Sequence, residues 1–160
     1  MIWLDLLAAG IILGAVFAES KRQFSAAFFD MLALLAAVKL AKLIAPGLAH
    51  AVVLLRAPDD NQALALSVLS LVFGGALVAL ANFLKDLALL TLDAFDTIAG
   101  AIFGFVSGVA VAHVILFIIL TANPAATTWG AAARQRPAAQ EIVYFHSYQR
   151  AVNWLRHLGE

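Results

Sequence analysis

The sequence predicts an all-α membrane protein, a four-transmembrane-helix bundle with short interfacial helices and a C-terminal amphipathic helix. Composition and the spacing of the apolar stretches carry that reading. Of 160 residues, 64% are hydrophobic and 12% charged, against roughly 45–50% and about 25% in an ordinary soluble domain. Mean hydropathy is +0.95. Ten Lys and Arg with ten Asp and Glu are too few to coat a domain of this size in water. Crossing a hydrocarbon core of about 30 Å takes roughly 20 mostly apolar residues as helix, and the chain holds four such stretches.

The first runs from Ile2 to Ala18 and is closed by the polar run Glu19 to Gln23, with Trp3 where an interfacial aromatic belongs. It lacks a basic leader and carries Asp5 instead, which argues against a cleaved secretion signal despite the small-residue sequence Val16-Phe17-Ala18. The second stretch spans Phe24 to Ala45 and is predicted to stop at Pro46-Gly47, where a missing amide hydrogen meets an unrestricted backbone. Residues 48–62 are too short to cross again and read as an interfacial segment followed by a turn at Pro58-Asp59-Asp60-Asn61.

The third stretch, Gln62 to Leu84, contains Ser67, Ser70, Gly74 and Gly75 and no ionisable residue. Residues 85–96 read as a short surface helix in the headgroup region. The fourth runs from Thr97 to Thr121 with His113 as its one ionisable group. Residues 122–137 form a Pro- and Ala-bearing linker, and 138–160 an amphipathic helix with Tyr144, Phe145, Tyr148, Val152 and Leu155 on its apolar arc. That helix either docks in the membrane plane or packs back on the ends of the spans. Residues 1–121 thus make the transmembrane domain. Counting Lys and Arg on each side favours both termini in the cytoplasm.

Several function classes drop out. Zero net charge and a pI near 6.9 leave no basic excess for a phosphate backbone, so nucleic acid is not an expected partner. The absence of cysteine excludes disulfide scaffolds, thiolate metal sites and thiol nucleophiles. Neither a Gly-x-Ser-x-Gly elbow nor a His-Glu-x-x-His motif is present, and the glycines lie within spans, so neither an enzyme nor a cofactor is expected.

The expected partners are the bilayer and other membrane proteins. Within the fourth span, Gly100, Gly104 and Gly108 repeat every four residues between Asp96 and Ala112, forming one ridge. In lipid, helices associate largely through close backbone packing, which small residues permit. The expected matching surfaces are Gly10, Gly14 and Ala18 of the first span and Gly74 or Gly75 of the third. Packing inside one chain is favoured over a homo-oligomer, which stays as the alternative.

The stretch Leu92 to Gly108, LDAFDTIAGAIFGFVSG, resembles the signature of the CvpA family, the colicin V production protein family, where an Asp-Arg pair precedes glycines every four residues. Trp3-Leu4-Asp5 and Lys21-Arg22-Gln23-Phe24 resemble the family's opening helix and its Arg-Gly-Phe sequence, so the resemblance covers about Trp3 to Leu120 and rests on Asp5, Arg22, Phe24, Asp96 and the three glycines. Thr97, Gln23, Ala27 and Ser107 depart from the family's Arg, Gly, Glu and Arg. The resemblance implies a small bacterial inner-membrane protein without enzymatic activity, involved in colicin V production or export and in envelope maintenance.

Ionisable groups inside a membrane are costly and persist for a reason. Asp5, Lys39 and Lys42 lie near span ends and read as anchors that reach the interface. Asp30 is placed to meet Lys21 or Arg22 across the first loop, and Asp96 to cap the fourth span. His113 is the deepest titratable group, expected to be neutral and bonded to Ser67, Ser70 or a backbone carbonyl, with no second ionisable group at its depth. The competing function is a small transporter or channel, an oligomer built around His113 and the glycine ridge.

Overall fold

The structure, a computed structural model, describes residues 3–88, 95–122, 141, 142 and 144. It is all-α, with four long helices: α1 (Trp3–Glu19), α2 (Phe24–Ala51), α3 (Pro58–Ala88) and α4 (Asp96–Thr121). Each lies on one of the four apolar stretches. Two of them, α3 over Pro58–Lys85 and α4 over Asp96–Thr121, are long and apolar enough to cross a membrane.

Helix α4 is the centre of the molecule. On one side it packs antiparallel to α1, with Gly100 against Glu19, Gly104 against Ala15 and Gly108 against Ile12. Leu4 and Ala8 continue that seam onto Ala112, Leu116 and Leu120. On another side α4 meets α2, and α2 pairs with α3 through Ala41, Ala45, Ala65 and Leu66. Phe117 of α4 touches both apolar clusters and joins the two halves.

The α2 interface is a second small-residue ridge. Ala33, Ala37, Ala41 and Ala45 recur every four residues and are all buried, the spacing that brings helix backbones together in lipid. Outward, the helices present Leu13 and Phe17, Leu32 and Leu43, Leu71 and Phe83, and Ile102 and Phe105. A protein in water rarely exposes so continuous an apolar surface. Hydrocarbon accepts it at no cost.

Four boundaries differ from expectation. Helix α2 does not stop at Pro46-Gly47 but runs on to Ala51. Proline removes one rung of the ladder, which a helix held by neighbours tolerates. Here the holder is Asn61 of α3, whose Nδ2 donates to Ala49 O at 2.5 Å and Val52 O at 2.9 Å while its Oδ1 accepts from the Leu54 and Leu55 amides. The sequence Pro58 to Asn61 is the first turn of α3 rather than a separate turn. Proline suits the first helical position, and Asp59 and Asp60 sit at the positive end of the helix dipole.

At its other end α3 continues to Ala88, so the start of the expected surface helix belongs to it, and residues 89–94 lie outside the described residues. Asp96 is the first residue of α4, not its cap: Phe95 holds the cap position and makes no side-chain capping bond. The expected linker beyond Ala122 and most of the C-terminal helix lie outside the described residues. Glu141, Ile142 and Tyr144 are helical. Ile142 packs on the α1/α4 cluster, whereas Tyr144, expected on the apolar arc, is exposed.

Candidate functional site

Two polar centres stand at opposite ends of α4. At its N-terminal end, the turn between α1 and α2 brings three charges together. Arg22 Nη1 donates to Glu19 Oε1 at 3.0 Å and also to Asp30 Oδ2. Asp30 is 5% exposed, so the guanidinium supplies the compensation a buried carboxylate needs. Of the two basic residues in the loop, Arg22 is the one that pairs with Asp30. Lys21 instead lies 3.9 Å above the centre of the Phe17 ring. Burial raises the Glu19 carboxyl above its ordinary value, Arg22 opposes that rise, and the Asp30 charge adds to it. Arg22 is desolvated as well, yet Glu19 and Asp30 leave its proton held more tightly than usual.

An aromatic group follows at the start of α2. Phe24 stacks on Phe28 at 5.9 Å between ring centres, and both meet Phe103 edge-on at 5.4 and 5.6 Å. Geometries of this kind suit the ring quadrupole. Phe24 thus ties the start of α2 to α4 just beyond the ion pairs.

The second centre lies toward the C-terminal end of α4. His113 is 5% exposed. Its Nδ1 lies 2.8 Å from Ile142 O, and its Nε2 lies 3.0 Å from Lys42 Nζ. A carbonyl only accepts, so Nδ1 carries the hydrogen, and Nε2 is left to accept from the ammonium. The histidine is therefore neutral and bonded to a backbone carbonyl, and the serines Ser67 and Ser70 are not its partners. Lys42 also sits 4.6 Å above the Phe117 ring.

Lys42 thus corrects the expectation that it snorkels to the interface and that His113 has no ionisable neighbour at its depth. Lys39, by contrast, is exposed.

The glycines divide into two kinds. A Cβ at Gly104 would lie 2.6 Å from Ala15 O, and one at Gly108 would lie 2.7 Å from the Ile12 Cα; at Gly100 it would meet the Glu19 carbonyl oxygen. These three admit the α1 backbone. At Gly10, Gly14, Gly74 and Gly75 no neighbouring atom among the described residues lies within 4 Å of a Cβ. Gly10, Gly14 and Ala18 face outward, so the surface α1 turns to α4 is made by Ala8, Ile12, Ala15 and Glu19 instead. Gly74 and Gly75 line a cavity.

Asp5 is half-buried in the first turn of α1. Among the described residues no group of three His, Asp or Glu side chains is placed to hold a metal.

A family model described as colicin V production protein matches residues 4–156. The chain belongs to the colicin V production protein family. The match runs well past Leu120, where the resemblance read from the motifs ends, and takes in the C-terminal segment that reaches His113 through Ile142. No curated protein and no solved structure matches the chain. The glycine ridge of α4 is its seam with α1, and Arg22 is the hub of the three-charge turn.

Proposed function

We propose that this member of the colicin V production protein family is a four-span protein of the bacterial inner membrane. It has no enzymatic activity and acts through protein partners in colicin V production or export and in envelope maintenance. The family match over residues 4–156 carries the reading. Its support from the fold is the outward apolar surface on all four helices, with both polar centres turned inward. On this reading α1 and α2 cross the membrane together with α3 and α4, and both termini are cytoplasmic.

The competing reading, a pore built by an oligomer around His113 and the glycine ridge, is disfavoured by one observation. Gly100, Gly104 and Gly108 are buried against the α1 backbone of the same chain, so they offer no face to a channel. Crosslinking in intact bacterial membranes, with identification of the attached proteins, tests the partner reading alongside ion flux in liposomes. Specific partners and no flux are expected. Flux that His113→Ala abolishes would overturn the proposal in favour of the pore.

A further inference from the structure

Helices α2, α3 and α4 leave a cavity of about 460 Å³ between them, bounded by Val38, Ser70, Gly74, Gly75, Val114 and Ile115 among others. Its volume is that of a small-molecule site, commonly about 300–1,000 Å³. Two consecutive glycines in mid-helix need a reason, because glycine is the poorest helix former after proline. Close backbone approach supplies the reason in α4. It does not at Gly74 and Gly75, where no neighbouring atom among the described residues lies within 4 Å of a Cβ.

Beside them the Ser70 hydroxyl is buried without a hydrogen-bond partner. The missing side chains keep open a space that the other described residues do not fill.

The lining selects the occupant. Among the described residues no charged one borders the cavity, so a phosphate or an ammonium headgroup has nothing there to hold it. The cavity lies midway along α3 and beside the C-terminal half of α4, the two helices fit to cross a membrane, and its rim includes Leu71, which is 78% exposed. At that depth the surroundings are hydrocarbon. We infer that this cavity is a binding site for one hydrocarbon chain of a membrane phospholipid, inserted sideways between α2, α3 and α4. The inference rests on the membrane-spanning reading given above.

The test uses the full chain in phosphatidylethanolamine vesicles containing a trace of phospholipid with a photoactivatable diazirine in mid-chain. Labelled positions are mapped after irradiation. Labelling at Ser70, Val114 and Ile115 is expected to exceed that at the outward Leu13 and Phe105 several-fold. Gly74→Leu should lower the cavity labelling at least fivefold and leave Leu13 and Phe105 unchanged. Gly75→Leu serves as the second variant should the first fold poorly.

Outer labelling with an unlabelled cavity would overturn the inference while sparing the membrane reading, and so would cavity labelling indifferent to both leucines. Labelling at neither place would overturn both. Disulfide-linked dimers formed by Gly75→Cys would assign the space to a second copy of the chain and overturn the inference.

Discussion

His113 of α4 and Lys42 of α2 meet at 3.0 Å between Nε2 and Nζ, and among the described residues no carboxylate forms an ion pair with that ammonium. A half-buried cation held by a neutral imidazole and a ring face carries a cost, since desolvation of the charge is only partly offset. The same imidazole holds the Ile142 carbonyl, so one side chain couples α2, α4 and the C-terminal segment.

Removing either partner should therefore have opposite effects. Lys42→Met takes away the desolvated charge and keeps an apolar stem against Phe117, and it is expected to leave detergent-solubilised protein as stable or more stable. His113→Leu strands the ammonium and the Ile142 carbonyl and should cost about 1–3 kcal/mol. The double variant should recover much of that loss. Thermal unfolding of the three variants in micelles measures the coupling, and additive effects would show that the two residues do not depend on each other.

The depth of Lys42 was hidden in the sequence by a local signal. Pro46-Gly47 reads as a helix end, which places Lys42 one turn from the boundary and within reach of the interface. With α2 running to Ala51, Lys42 lies about two and a half turns inside it. What extends the helix is Asn61, twelve residues beyond Ala49, and a contact across that distance leaves no mark in local pattern. The four apolar stretches and the α4 ridge were legible because each is a property of one helix. The partner face on α1 was not, since spacing alone cannot tell a glycine that admits a neighbour from one that faces outward. The alanine ridge of α2 did carry a readable signal, the same interval of four that marked α4.

Substitutions at the two kinds of glycine should separate cleanly. Gly104→Ala sets a methyl against the Ala15 carbonyl and the Val16 Cα, both backbone atoms that move only if α1 moves. The expected cost is about 1–3 kcal/mol, as for overpacked cores. Gly10→Ala and Gly14→Ala meet open space and should be neutral or gain about 0.5–1 kcal/mol from helix propensity. Equal melting temperatures for Gly104→Ala and Gly10→Ala would refute the α1/α4 seam.

Asn61→Ala removes four hydrogen bonds at once, two to helix-end carbonyls and two from loop amides. Asn61 is buried at 3% exposure, and water does not readily replace those bonds. A loss of about 2–6 kcal/mol is expected from four net bonds at about 0.5–1.5 kcal/mol each. Hydrogen exchange should quicken first at the Leu54 and Leu55 amides and leave α4 protected. Uniform quickening along the chain would instead mean that Asn61 supports the whole bundle.

The three-charge turn makes stability depend on pH in a stated direction. A carboxyl whose folded pKa lies above its unfolded value favours folding most when protonated. The Glu19 contribution is therefore fully present below about pH 4 and is lost as pH rises through its raised folded value. Glu19→Gln imitates the protonated form and leaves Arg22 with Asp30 as its one carboxylate. The variant should match the parent in acid and melt higher at pH 7, with the gap opening as Glu19 ionises in the parent. Arg22→Met should show the reverse dependence: Glu19 loses the cation that opposes its rise, so the variant is weakest at neutral pH and recovers as Glu19 protonates. Melting curves of both variants between pH 4 and pH 7 check the pair of signs, and a gap for Glu19→Gln that narrows with rising pH would contradict the burial of that carboxyl.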